Sequence, residues 1–256
     1  MEKYILITGA SSGLGSDFAR QYAALGRNLI LVARRMDRME ALKAEIQTTN
    51  HVKIELMKAD LADPLQRQHV IDECLGRVDI LVNNAGFGIG GSYEETEYVR
   101  VQKLIDVNIS ALSALCHAFL PEMKAQRHGT IINVASMAGF MAGPYMSAYY
   151  ASKAYVLSLS EALHEECLPF GVHISAVCPG PTMTEFFQHT GNKSALSQNM
   201  FLMQSAEVVR LGIKDAENNK AIAISGFRNK VLHVLTTWVG RRIARKSVAK
   251  IQGSRR

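Results

Sequence analysis

The 256-residue chain is short of several things, and each shortage excludes a class of protein. It has four cysteines, Cys74, Cys116, Cys167 and Cys178, and no Cys-x-x-Cys pair. Neither a zinc site nor a disulfide framework is written here, and no metal is expected. The thiols read as buried side chains in a reducing compartment, so a cytoplasmic setting is expected. No stretch approaches the roughly 18 consecutive apolar residues that suggest a membrane span. The N-terminus runs into Tyr4-Ile5-Leu6-Ile7-Thr8 without a basic region or a small-residue cleavage site, so no secretory signal is expected. Acid is absent from one end: residues 221–256 hold nine Lys and Arg and no Asp or Glu. The first 220 residues hold 20 basic and 23 acidic side chains, a net of −3. The overall charge of +6 therefore describes a basic tail, and no nucleic-acid partner is expected.

What is present is alternation. Tyr4–Thr8, Asn28–Ala33, Val52–Ala59, Val78–Val82, Thr130–Ala135, Val172–Cys178 and Ala221–Ser225 are short runs rich in Ile, Val and Leu, and they read as buried parallel strands. Between them Leu14–Leu25, Met36–Gln47, Pro64–Leu75, Glu97–Lys124, Ser147–Leu168 and Ser205–Asn218 read as helices. The pattern predicts an α/β fold, a doubly wound parallel sheet of seven strands with helices on both faces. No repeat, low-complexity stretch or linker divides it. One domain over residues 1–226 and a C-terminal helical extension over 227–256 are expected. The irregular stretch 179–204 follows a strand's carboxyl end, where a ligand cover sits in such sheets.

Three constellations carry chemistry. Thr8-Gly9-Ala10-Ser11-Ser12-Gly13-Leu14-Gly15 follows the first strand and opens the first helix. Glycines there let backbone approach a pyrophosphate, and the helix N-terminus supplies donors and partial positive charge. A tight turn without a ligand would use the same glycines. Second, the place at the end of the second strand, where a carboxylate would bind a ribose 2′-hydroxyl, is Ala33, followed by Arg34 and Arg35. A guanidinium binds a 2′-phosphate in fork geometry, so NADP(H) is favoured over NAD(H), with Arg34 as first choice. Third, Ser136 ends a strand, and Tyr149 and Lys153 lie four residues apart on one helical face. A phenol titrates near 10 when unperturbed. A neighbouring ammonium is expected to lower it, so that it can protonate a carbonyl oxygen or take the proton back.

Together these motifs resemble the short-chain dehydrogenase/reductase family. Thr8–Gly15, Asn83-Asn84-Ala85-Gly86, Asn108, Ser136, Tyr149 with Lys153, and Pro179-Gly180 match its pattern in order and spacing over about residues 3–225. The resemblance implies a single Rossmann-type domain and hydride transfer between a nicotinamide and a carbonyl. It implies a Ser136–Tyr149–Lys153 centre, with Asn108 ordering a relay to Lys153. It implies that Gly9, Ser11, Ser12, Gly13, Leu14 and Gly15 hold the pyrophosphate side and that Asp60 and Leu61 contact the adenine. Asn84, Ala85 and Gly86 would pass beside the cofactor, and Pro179, Gly180 and Thr182 would hold the nicotinamide end. The branch is that of broad reductases related to hydroxysteroid and 3-ketoacyl reductases, and a homodimer or homotetramer through the Ser147–Leu168 helix is implied. Ser12 stands where many NADPH-dependent members carry a basic residue, which leaves discrimination to Arg34 and Arg35.

Phe140, Met141, Tyr145, Met183, Phe186, Phe187, Phe201, Leu202 and Met203 surround the expected site with few charges. They suit a bulky hydrophobic carbonyl substrate such as a steroid or acyl chain, though the same residues would also pack a cover segment. Tyr145 and Tyr150 are rival phenols. Tyr150 is turned about 100° from Tyr149 and cannot share the face of Lys153. In the tail, Val231, Val234, Leu235, Trp238 and Val239 form an apolar stripe at helical spacing, Gly240 allows a break, and Arg241, Arg242, Arg245, Lys246 and Lys250 follow. A helix docked on protein with a frayed basic end is favoured, and weak contact with an anionic membrane stays open beside it. A non-catalytic NADP(H)-sensing or partner-binding protein is the alternative to an enzyme.

Overall fold

The computed structural model describes residues 2–185, 202–238 and 240–253. Seven parallel strands form one sheet in the order β3-β2-β1-β4-β5-β6-β9. They are β1 (Tyr4–Thr8), β2 (Asn28–Ala33), β3 (Ile54–Lys58), β4 (Val78–Asn83), β5 (Gly129–Val134), β6 (Val172–Cys178) and β9 (Ile222–Ile224). The two-residue strands β7 (Thr182–Met183) and β8 (Met203–Gln204) pair with each other apart from it. Strand order reverses between β1 and β4, the switch point where such sheets open a crevice at their carboxyl ends.

Side chains alternate across the sheet as the strand period requires. Ile5 and Ile7 pack with Phe18, Leu29 and Leu31 on one face, while Tyr4 and Leu6 pack with Ile30, Val32 and Phe119 on the other. Both faces are therefore covered, which is why the strands read as continuous apolar runs. The helices are α1 (Gly13–Ala24), α2 (Met36–Gln47), α3 (Pro64–Cys74), α4 (Tyr98–Gln126), α5 (Ser147–Cys167), α6 (Ser205–Glu217), α7 (Phe227–Trp238) and α8 (Gly240–Gly253). Helix α3 begins where the sequence demands: Asp63 accepts hydrogen bonds from the amides of Leu65 and Gln66, and Pro64 fills the first helical position.

The departures from expectation have local causes. Strand β3 starts at Ile54 because the Lys53 amide donates to the Asn28 side chain at 2.9 Å instead of to a ladder carbonyl. Strand β9 shrinks to three residues because it pairs only with Ala176–Cys178. Helix α4 contains a π-helical turn over Asp106–Ala111. It is also long and apolar enough to cross a bilayer by length and composition, although its sequence holds no unbroken apolar run. Here it packs Leu104, Leu112, Leu115, Phe119 and Leu120 into the fold. The basic tail is not frayed after Gly240. That glycine, at φ +72°, turns the chain into α8. Of the stripe, Val231, Val234 and Leu235 are 41%, 54% and 53% exposed, so these three do not dock on the body of their own chain, which leaves a second subunit as the protein on which the stripe is expected to dock. Helix α7 meets the body instead through His233, whose ring lies 4.2 Å from that of Phe140, and through Asn229, which donates to the Ser225 carbonyl at 2.7 Å. The Trp238 side chain and Val239 lie outside the described residues, as do Phe186, Phe187 and Phe201. All four cysteines are buried and unpaired.

Candidate active site

One cavity of about 680 Å³ opens at the carboxyl ends of the strands. Its walls come from the turns after β1, β2, β3, β4, β5 and β6 in succession, so six separated pieces of sequence converge on one space. Every expected cofactor and catalytic residue lines it except Gly15 and Asn108. Both of these stand one layer behind.

The first wall is fixed by backbone. Thr8, at the end of β1, donates to the Val82 carbonyl at 3.2 Å and accepts from the amides of Asn84 and Ala85, both at 3.0 Å. This clamps the two turns at the switch point. Asn84 closes the clamp by donating to the carbonyls of Thr8 and Gly9. Gly15 packs so tightly that a Cβ would collide with the Gly9 carbonyl and lie 2.6 Å from Asn84 Nδ2. Helix α1 begins without a side-chain cap. The Ser12 hydroxyl accepts from Arg35 Nη2 at 2.8 Å, and the helix start at Gly13 and Leu14 forms cavity wall. Uncapped helix amides beside two arginines make an electropositive cradle that suits a pyrophosphate and a 2′-phosphate. Arg34 is exposed and Arg35 half-buried, and both reach the cavity. Asp60 also reaches it. Burial pushes its carboxyl up, but the hydrogen bond from Lys103 at 2.9 Å and that from the Ala62 amide outweigh this, and it sits below its ordinary value.

The second wall carries the titrating groups. Ser136 caps the 3₁₀ turn Met137–Phe140 by accepting from the Ala138 amide at 3.1 Å, and it is hydrogen-bonded to the Tyr149 phenol. Lys153 donates to the Val134 carbonyl at 2.6 Å, with its ammonium 5.9 Å from the Tyr149 ring centre. Both side chains are buried. Burial pushes Tyr149 up to about 12, and the Ser136 hydrogen bond offsets this only in part. Burial lowers Lys153 to about 8. The expectation that Lys153 holds the phenol down is thus corrected. Desolvation dominates, the phenol stays protonated at neutral pH, and the lysine is the group that titrates near it.

Asn108 sits in the π turn, where its side chain accepts from the Phe87 amide at 3.1 Å and donates to the Phe87 carbonyl and to Ser152 Oγ, both at 3.0 Å. A Cβ on Gly86 would lie 3.1 Å from Asn108 Oδ1 and 3.6 Å from Lys153 Nζ, so the asparagine is a neighbour of the lysine. Tyr150 lies edge-on to Tyr149, with ring centres 6.1 Å apart, and faces the cavity as wall.

Among the described residues, the expected substrate lining is only partly found in the cavity wall. Met141 lines the cavity, whereas Phe140 packs on His233, Met183 is exposed, and Tyr145, at φ +64°, accepts from the Gly91 amide. Leu202 and Met203 are not part of the wall either; Met203 pairs with Thr182 in the small sheet. The apolar wall is built by Phe87, Met137, Met146, Tyr150 and, from the two C-terminal helices, Leu232 and Val248, with Gln252 beside Met146 Sδ at 3.8 Å. No signal in the sequence ties residues 232, 248 and 252 to a cavity, because the contact depends on how α7 and α8 fold back. Thr184 and Glu185 also line it and were not foreseen.

A model of the short chain dehydrogenase family matches residues 3–195. The sulfoacetaldehyde reductase of Chromohalobacter salexigens is 35% identical over 211 residues, 78% of this chain and 81% of that protein. The 3-ketodihydrosphingosine reductase of Bacteroides thetaiotaomicron is 33% identical over 198 residues, 76% and 70% of the two chains. Among solved structures, a short-chain dehydrogenase from Sphingobium yanoikuyae in complex with NADPH superposes with a TM-score of 0.84 at 33% identity, covering 97% of this chain and 95% of the other.

Proposed function

The chain belongs to the short chain dehydrogenase family, oxidoreductases acting on alcohol and carbonyl groups, and from that premise we propose that it is an NADP(H)-dependent reductase of bulky hydrophobic ketones. The observation that carries the reading is a single cavity holding the glycine turn, the arginine pair and the Ser136–Tyr149–Lys153 set together. The NADPH-bound structural relative supports the cofactor choice, and the apolar wall and the ketosphingosine reductase support the substrate class.

A bound dinucleotide supplies the hydride. The amides at Gly13 and Leu14 and the turn of Gly9, Ser11 and Ser12 hold its pyrophosphate, Arg34 and Arg35 its 2′-phosphate, and Asp60 and Leu61 its adenine. Asn84, Ala85 and Gly86 border its path, and Pro179, Gly180 and Thr182 its far end. Tyr149 is protonated at neutral pH and gives its proton to the carbonyl oxygen, which Ser136 orients by hydrogen bonding. Lys153, in the cavity wall beside Tyr149, would bind a ribose hydroxyl, and because burial lowers it to about 8 it passes a proton on without a large uphill step. Asn108 acts behind them by fixing the Phe87 backbone and Ser152 beside that amine.

A panel of ketones and alcohols, including steroids, 3-ketoacyl thioesters and short aldehydes, assayed with NADPH and NADH side by side, tests this. The expected result is NADPH-dependent reduction that favours the bulky ketones. No turnover with any member, or preference for the smallest aldehyde, overturns it. We also propose that helices α7 and α8 complete the substrate end as an extension of the residue 1–226 body. The assembly is proposed to be a homodimer or homotetramer through α5, which light scattering measures.

The tail supports a second reading. Val231, Val234 and Leu235 are exposed in a segment without acidic residues, and this favours weak contact with an anionic membrane. Equal recovery in the supernatant, with and without anionic liposomes, removes it.

A further inference from the structure

The ion pairs at the rim of the cavity concern cofactor choice. Glu185 follows Thr184 in the cavity wall. Its two carboxylate oxygens accept from Arg38 Nη1 at 2.7 and 2.8 Å, and one of them accepts from Arg35 Nη1 at 3.2 Å. The other nitrogens of Arg35 are committed to the glycine turn. Nη2 donates to Ser12 Oγ at 2.8 Å and to Ser11 Oγ at 3.2 Å, and Nε donates to Ser11 Oγ at 3.3 Å. One guanidinium is thus bracketed by two hydroxyls and a carboxylate. The Arg35 and Glu185 side chains are 37% and 36% exposed, so a ligand in the cavity reaches both. The Arg38 hydrogen bond, followed by that of Arg35, holds the carboxyl below its ordinary value, and it is charged at neutral pH.

We propose that Glu185 is a selectivity residue of the dinucleotide site, competing with the 2′-phosphate of NADP(H) for the Arg35 guanidinium. The proposal rests on the nicotinamide reading above. A phosphate monoester carries about −1.5 to −2 charges at neutral pH and seeks the same fork of donors that a carboxylate occupies. To seat it, Arg35 must exchange one anion for another, and any remaining proximity to Glu185 is repulsive. NAD(H) has a hydroxyl at that place and leaves the Arg35–Glu185 contact standing. Displacement requires little movement, because Arg38 already holds both oxygens of Glu185. The consequence is a chain whose arginines recognise the 2′-phosphate while Glu185 limits the preference they confer, so both dinucleotides compete for the site.

Fluorescence titration of NADPH and NADH tests this in the wild type, Glu185→Gln, Glu185→Asp, Arg35→Ala and the Arg35→Ala/Glu185→Gln pair. Removing a charge this close to a phosphate in a half-exposed site raises the NADPH-over-NADH affinity ratio about tenfold in Glu185→Gln. Glu185→Asp keeps the charge and stays within about threefold of wild type. In the Arg35→Ala background the contested donor is gone, and adding Glu185→Gln moves the ratio by less than about threefold. A Glu185→Gln ratio within about twofold of wild type overturns the competition, as does a rise of equal size in Glu185→Asp or in the Arg35→Ala background. If wild type binds neither dinucleotide, the nicotinamide reading fails first and the competition with it. Binding of both with an unmoved ratio removes the competition alone.

Discussion

The two ends of the cavity are built from different materials. At the glycine turn the wall is backbone: main-chain amides and carbonyls, Thr8 clamped between β1 and β4, and no room for a Cβ at Gly15. At the far end it is side chain: Phe87, Met141, Met146, Tyr150, Leu232 and Val248, brought together from loops and helices far apart in the chain. A backbone wall has one shape for every occupant and fails when it is altered. A side-chain wall changes one methyl at a time, and Met adapts to irregular partners. The first suits an invariant ligand, and the second suits a substrate class. Tyr149 and Lys153 stand at the seam.

Four variants break or sharpen that contrast. At the seam, Tyr149→Phe removes the proposed proton donor and little else, so turnover is expected to fall about a thousandfold while dinucleotide affinity stays within about twofold; binding titration alongside steady-state rates measures both. Retained turnover removes Tyr149 from its role. A protein that senses NADP(H) without turnover has no rate to lose in this variant. One layer behind the backbone wall, Gly15→Ala forces apart the Gly9 carbonyl and Asn84, with an expected loss of about 2–3 kcal/mol in urea unfolding and of measurable dinucleotide binding. Lys153 gives a pH signature. Its folded value of about 8 lies below the ordinary lysine value of 10.5, so between the two the unfolded chain holds a proton that the folded chain has released. Stability therefore rises with pH across that window, by at most about 1.4 kcal/mol per unit. Comparing unfolding at about pH 8 and about pH 9.5, wild type should gain about 1–2 kcal/mol relative to Lys153→Met. At the side-chain wall, Leu232→Ala should raise KM for a bulky ketone about threefold and leave a short aldehyde unmoved. An equal effect on both would show that α7 does not touch substrate.

The same division decides what was legible. The backbone wall and the strands behind it are written locally: Ile, Val and Leu runs, the glycine spacing, and Asp63-Pro64 opening α3. The Tyr149–Lys153 pair follows from one helical period. The side-chain wall is a product of long-range folding. Phe140 and Met183 are as apolar as Met141, yet only Met141 faces inward, and no local pattern separates them. Residues 232, 248 and 252 enter the wall because Gly240 reverses the chain, and the sequence shows the break but not its direction. The titration of Tyr149 was missed for a different reason. Spacing locates Lys153, but it is depth of burial that sets which effect dominates.

The π turn over Asp106–Ala111 has a consequence for how this chain tolerates change in length. A π turn holds more residues than an α turn. Deleting one residue there would restore an ordinary helix with Leu112, Leu115 and Phe119 still on the side of Val101 and Leu104, because the extra residue is what the π turn absorbs, but it would take Asn108 out of the turn that sets it beside Lys153. In the α-helical turns on either side, by contrast, one residue gained or lost swings everything beyond it by about 100°, even when the change is made at a solvent-facing position, whereas the loop over residues 88–96 has no such helical register to keep.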